Sequence, residues 1–136
     1  MGTWGTGNFE NDHAYDWLNT FFRNPVREEI KEVFDFVLDQ RAYLSNQVCQ
    51  AALVAAELVA LRLGRPSVDL PEDIVQDEEI AFAVDDTLTH TAERVVNKIW
   101  HFTGDSEARE LWQDAGTDAY EEWGKVLLGL LRRLQG

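Results

Sequence analysis

Residues 45–63 read SNQVCQAALVAAELVALRL, and this stretch decides the fold. Its apolar residues cover almost the whole circumference of a helix, and a helix that is apolar all round is one enclosed by other elements. Ala51, Ala52, Ala55, Ala56 and Ala60 are small enough to let neighbouring backbones approach closely. Gly64 stops the helix and Pro66 bars its resumption. The apolar run within it, Val48 to Leu63, is interrupted by Gln50, Glu57 and Arg62, and is too short and too polar to span a membrane. The segment is expected to be the alanine-rich spine of an all-α, single-domain bundle of five or six helices.

On the N-terminal side, Ala14, Trp17, Leu18 and Phe21 fall at helical spacing and predict a helix from about Asp12 to Phe22, capped by Asn11 or Asp12. Asn24-Pro25 predicts a restart, with the asparagine as cap and the proline in the first turn. Val26, Ile30, Val33, Phe34, Val37 and Leu38 mark the buried face of that second helix, and Asp39 to Leu44 reads as a loop or frayed end. On the C-terminal side, Pro71 opens a short helical stretch. Ile80, Val84, Leu88, Ala92, Val95, Ile99 and Phe102 then continue a helical face, with a break expected near Asp85-Asp86 and an end at Gly104. Asp105 is expected to cap a two-turn helix carrying Leu111 and Trp112, which Gly116 ends. A last helix starts near Asp118, with Glu121 as acidic partner in a capping-box variant. Its apolar face is Tyr120, Trp123, Leu127, Leu130, Leu131 and Leu134, and Gly124 and Gly129 within it point to close packing.

With 136 residues there is room for one domain, residues 1–136, and an apolar fraction of 45% is enough to give it a core. Net charge is −13, from 25 acids against 12 bases. Such a surface repels phosphate backbones and anionic lipid, so neither nucleic acid nor membrane is an expected partner. Cys49 is the sole cysteine and cannot form an internal disulfide. No basic segment followed by an apolar one opens the chain. Met1-Gly2 with Thr6 matches the bare acylation pattern, but nothing basic follows to help one acyl chain hold a membrane. The expected location is the cytoplasm.

The opening Met1-Gly2-Thr3-Trp4-Gly5-Thr6-Gly7-Asn8-Phe9-Glu10-Asn11-Asp12, with Ala14, Asp16, Trp17 and Leu18, is an unusual word. It resembles the start of a bacterial family, domain of unknown function 4259, whose members open M-G-x-W-G-x-G-x-F-x-N-D and run into a helix. The likeness continues at Ala55-Ala56-Glu57 through Gly64-Arg65-Pro66, at Asp69-Leu70-Pro71-Glu72 and at Ser106 through Trp112. The resemblance implies a small, mainly helical cytoplasmic protein. It implies no activity, and no catalytic residue can be carried over from it.

Several residue patterns invite a chemical reading. Gly2, Gly5 and Gly7 precede a helix start, where backbone amides can cradle phosphate, but Glu10 and Asp12 already place carboxylates there and no lysine follows. The glycines are expected instead to turn residues 1–11 tightly onto the bundle, docking Trp4 and Phe9. Glu10 and His13 have the spacing of a di-iron half-site, but such sites need that pair twice within helices, so no metal is expected. His90, Glu93, Asn97 and His101 form a polar stripe opposite an apolar face, with the two histidines about 16 Å apart along the axis. Cys49 has no activating neighbour in sequence and reads as a small buried hydrophobe. Glu57 interrupts the spine in line with Gln50 and Asn46. If it is buried, it needs a donor, from Arg94, Lys98, Arg41 or a tryptophan indole. No nucleophile, metal or cofactor motif is present, so no catalytic residue, metal or cofactor is expected.

Residues 69–93 carry nine acids and no lysine or arginine, with no glycine placed for a calcium loop. The first expectation is therefore a non-enzymatic acidic interaction module of the inhibitor or immunity-protein kind, docking a basic protein through Asp77, Glu78, Glu79, Asp85 and Asp86. Two alternatives stand beside it. One is a small enzyme or ligand-binding protein with an inter-helical pocket at Trp4, His13 and Glu57. The other is a structural subunit of a homo-oligomer anchored by exposed tryptophans.

Overall fold

The computed structural model describes residues 5–72 and 82–136. Six helices and one two-stranded ribbon are described within them: α1 (Asp12–Arg23), α2 (Arg27–Asp39), β1 (Tyr43–Leu44), α3 (Asn46–Arg62), α4 (Asp86–His101), β2 (Asp105–Ser106), α5 (Glu107–Ala115) and α6 (Thr117–Gln135). Every residue of α3 from Cys49 to Ala60 is buried, and α1, α2, α4, α5 and α6 all pack on it. The fold is all-α, with the alanine-rich helix as its axis. Its core is completed by Leu18 and Phe21 of α1, Ile30 and Phe34 of α2, Ile99 of α4, and Trp123, Leu127 and Leu130 of α6.

Four helices start on side-chain caps. Asn11, Ser45, Asp85 and Ser106 accept the N–H of Ala14, Val48, Leu88 and Arg109 respectively, satisfying donors that the first turn leaves open. The Asn11 cap and the start of α4 at the Asp85-Asp86 break follow the sequence reading.

Other details differ from that reading. Asn24 does not cap α2. Proline at position 25 drives its predecessor out of the helical region, so Asn24 is extended and closes α1 by donating its N–H to Phe21 O, while α2 begins at Arg27 without a side-chain cap. The supposed loop before α3 contains a strand, Tyr43–Leu44, paired in parallel with Asp105–Ser106. Two residues per strand are too few for alternation to register in sequence. Gly104 permits the approach, since a Cβ there would lie 2.4 Å from Ala42 O. Asp105 is consequently a strand residue, and Ser106 takes the cap. α6 starts at Thr117 directly from Gly116, whose φ of +121° suits glycine, and no side-chain cap involving Asp118 forms. Gly124 is closely packed, but a Cβ at Gly129 would meet nothing within 4 Å, so the second glycine has no packing role. The helix expected from Pro71 and the contribution of Ile80 lie largely outside the described residues.

Candidate functional site

The α1–α2 face carries the clearest candidate. Ile30, Phe34 and Val37 turn inward, which leaves Glu28, Glu32, Asp35 and Asp39 as an outward acidic row at i, i+4, i+7 and i+11, with Glu29 beside it. Between that row and α1 runs a groove of about 560 Å³. Its apolar lining is Trp17, Val33, Phe36 and Val48, and its charged lining is Glu29, Glu32, Asp35 and Asp39, with no basic side chain. Phe36 is 51% exposed, a large apolar side chain given to solvent. Trp17 is fixed by stacking on buried Phe21, with centroids 5.2 Å apart and planes at 14°. An apolar strip bordered by carboxylates matches an amphipathic basic segment: contact area supplies affinity and the acids supply encounter rate. Sequence reading attended to the longer acidic run and passed over this one, although the 28, 32, 35, 39 spacing was present.

Of the acids expected to dock a partner, Asp77, Glu78 and Glu79 lie outside the described residues. Asp85 is engaged twice: its carboxylate takes Arg27 Nη1 and Nη2 at 3.1 and 3.0 Å and caps α4 through Leu88 N at 2.9 Å. The Arg27 guanidinium first, and the Leu88 amide second, hold its carboxyl below the usual carboxylate range. Asp86 is exposed in the first turn of α4.

Glu57, 2% exposed, sits in a buried polar joint. Its carboxylate accepts from Asn8 Nδ2 at 2.8 Å and from Arg133 Nη1 and Nη2 at 2.6 and 3.0 Å. The donors are therefore neither Arg94, Arg41, Lys98 nor an indole. Lys98 instead donates to Leu38 O at 2.6 Å, and the cation comes from the last turns of α6. Two turns back on α3, Gln50 Oε1 accepts from Asn11 Nδ2 at 3.1 Å while its Nε2 donates to Asn46 Oδ1 at 3.1 Å. Asn8 and Asn11 thus fasten the opening segment to the spine. Asn8 Oδ1 is buried and has no partner among the described residues. A carboxylate held by three donors from two distant segments serves as a joint between them.

The remaining candidates are not gathered around Glu57. Trp4 lies outside the described residues. His13 is half-buried on α1, away from Glu57; Glu107, whose carboxyl is held low first by the Asn46 amide and then by Tyr43, accepts Asn46 N at 2.8 Å. Asn46 and Glu57 are eleven residues apart on α3, or about 16 Å at the helical rise. The glycine turn is occupied by its own chain: Gly7 N donates to Glu10 Oε1 at 3.0 Å, and a Cβ on Gly5 would lie 2.3 Å from Glu10 Oε2. An incoming phosphate would meet that carboxylate. Among the described residues no three histidine, cysteine or acidic side chains cluster as metal ligands. Cys49 is buried, and desolvation, followed by the Glu107 charge, pushes its thiol up to about 12. His90, Asn97 and His101 are exposed and Glu93 is half-buried, a largely solvated face.

Among the described residues no helix is long and apolar enough to cross a membrane. No curated protein and no solved structure matches the chain. A family profile described as a domain of unknown function, DUF4259, matches residues 2–126, and the chain belongs to the DUF4259 family.

Proposed function

We propose that the protein is a non-enzymatic acidic interaction module that docks a basic amphipathic segment of a partner protein. The observation that carries this reading is the α1–α2 groove, where Trp17, Val33 and Phe36 are bordered by Glu29, Glu32, Asp35 and Asp39 and, among the described residues, by no base. The net charge of −13 supports it, because a field of that sign attracts basic partners and repels acidic ones. Asp77, Glu78, Glu79 and Asp86 count toward that net charge.

A synthetic helical peptide of leucine and lysine, with one apolar and one basic face, tests the reading against isotope-labelled protein by nuclear magnetic resonance. Binding should move the amides of Val33 and Phe36 and the indole of Trp17, and should weaken steeply with salt. Phe36→Ser and the pair Glu32→Lys, Asp35→Lys should each abolish it, since all three side chains are solvent-exposed and tolerate exchange. A peptide that binds both variants as tightly as the parent protein refutes the groove. In a host lysate, a basic protein retained by the parent and lost with Phe36→Ser would name the partner.

A further inference from the structure

Two clefts beside the C-terminal end of α4 have His101 in common in their lining. The larger, about 520 Å³, lies between α4 and α6. Its floor is aromatic: Trp100 stacks on Tyr120 at 5.1 Å with planes at 24°, Leu128, 46% exposed, and Leu131 form its wall, and Glu121 and Lys125 add one charge of each sign at its rim, so the cleft itself carries no net acid. Gly124 creates the space, because a Cβ there would lie 2.8 Å from Trp100 Cη2 and the ring lies where the glycine leaves room. The smaller cleft, about 270 Å³, is lined by Arg41, Lys98, His101, Gln40, Phe102 and Thr103, and no acid borders it.

A basic cleft in a chain with 25 acids runs against the overall field. Part of its charge answers the C-termini of α2 and α4, where free carbonyls gather, and Lys98 Nζ binds Leu38 O there. Asp39, next in sequence to Gln40, offsets part of the rest, and two further cations outweigh it. Arg41 and His101 form no ion pair among the described residues. Lys98 lies below the usual lysine range, from desolvation first and then from repulsion by Arg41. Arg94 adds to that repulsion, and Asp39 alone opposes it. Surplus positive charge beside an open aromatic floor is the complement of an anion with a flat apolar body.

We propose that the joined clefts bind a small aromatic carboxylate, its ring across Trp100 and Tyr120 and its carboxylate held by Arg41, Lys98 and His101. This site is distinct from the α1–α2 groove and does not depend on it.

Matched probes of opposite charge test it: 2-naphthylacetate and 2-naphthylmethylamine, titrated by nuclear magnetic resonance against the Trp100 indole and Gly124 amide signals. The acid should bind at least about tenfold more tightly than the amine, because the aromatic contact is shared and the sign of the charge is not. Arg41→Gln and His101→Gln are both exposed changes that leave the core untouched. Each should weaken the acid by about three- to fivefold, the range of a partly exposed charge contact. Equal affinity for acid and amine at the Trp100 signal overturns the proposal. So does acid binding that the double variant leaves unchanged, or acid-induced shifts that map elsewhere.

Discussion

Replacing Arg133 by Met should be the most damaging single exchange on the surface of α6. Arg133 contributes two of the three hydrogen bonds to a carboxylate that is 2% exposed, at 2.6 and 3.0 Å. Without it Glu57 keeps only the amide of Asn8, and a buried charge stripped of its counter-ion costs about 3–5 kcal/mol. For a domain of this size that corresponds to a fall in Tm of roughly 10–20 °C. Urea unfolding followed by tryptophan fluorescence reads the effect as a drop in midpoint at constant slope. The mechanism is specific, because the penalty comes from the orphaned charge and not from the lost arginine stem. In a Glu57→Gln background the same Arg133→Met exchange should therefore cost only about 1 kcal/mol, which leaves a coupling of roughly 2 kcal/mol or more. A cost below about 1 kcal/mol in the parent protein, or the same cost in both backgrounds, would refute the ion-pair account.

Other expectations follow from the geometry. Gly129→Ala should stabilise the protein by about 0.5–1 kcal/mol in thermal melts, because its Cβ meets nothing, whereas Gly124→Ala should gain nothing because its Cβ meets Trp100. Cys49 should resist iodoacetamide at pH 8 in the native protein and react readily in urea, since burial keeps the thiol protonated; fast native alkylation would contradict this. The folded pKa of Asp85 is lowered by Arg27, so its stabilisation is present above the unfolded carboxylate value and lost as pH falls through the folded one. Asp85→Asn should accordingly flatten the acid side of a urea-midpoint profile taken from pH 6 to pH 2, while an unchanged profile would assign the acid limb to other carboxylates.

Much of the fold was legible because its central helix declares itself: only an enclosed helix can be apolar on all sides, and α3 is buried from Cys49 to Ala60. The Asn11 cap and the break at Asp85-Asp86 were equally local signals. What escaped was non-local or very short. The pairing of Tyr43–Leu44 with Asp105–Ser106 joins segments 62 positions apart through four residues. The partner of Glu57 lies 76 positions away and was not among the donors expected, Arg94, Lys98, Arg41 or an indole; Lys98 is engaged elsewhere. The α1–α2 groove depends on Phe36 facing outward next to Trp17. Helical spacing on α2 shows which residues share a face, but not that α1 lies alongside them.

The Asn8–Glu57–Arg133 joint also has a consequence during synthesis. Glu57 leaves the ribosome with Asn8 already made, but Arg133 follows 76 residues later, a delay of about 4–15 s at ordinary translation speeds. Over that interval the nascent spine carries an uncompensated carboxylate among its alanines and leucines. Burying that charge before its counter-ion arrives would carry the penalty of an unpaired interior carboxylate. Since Arg133 stands in the last turns of α6, the pair can form only once nearly the whole described chain has been made, and closing this joint is necessarily a late step.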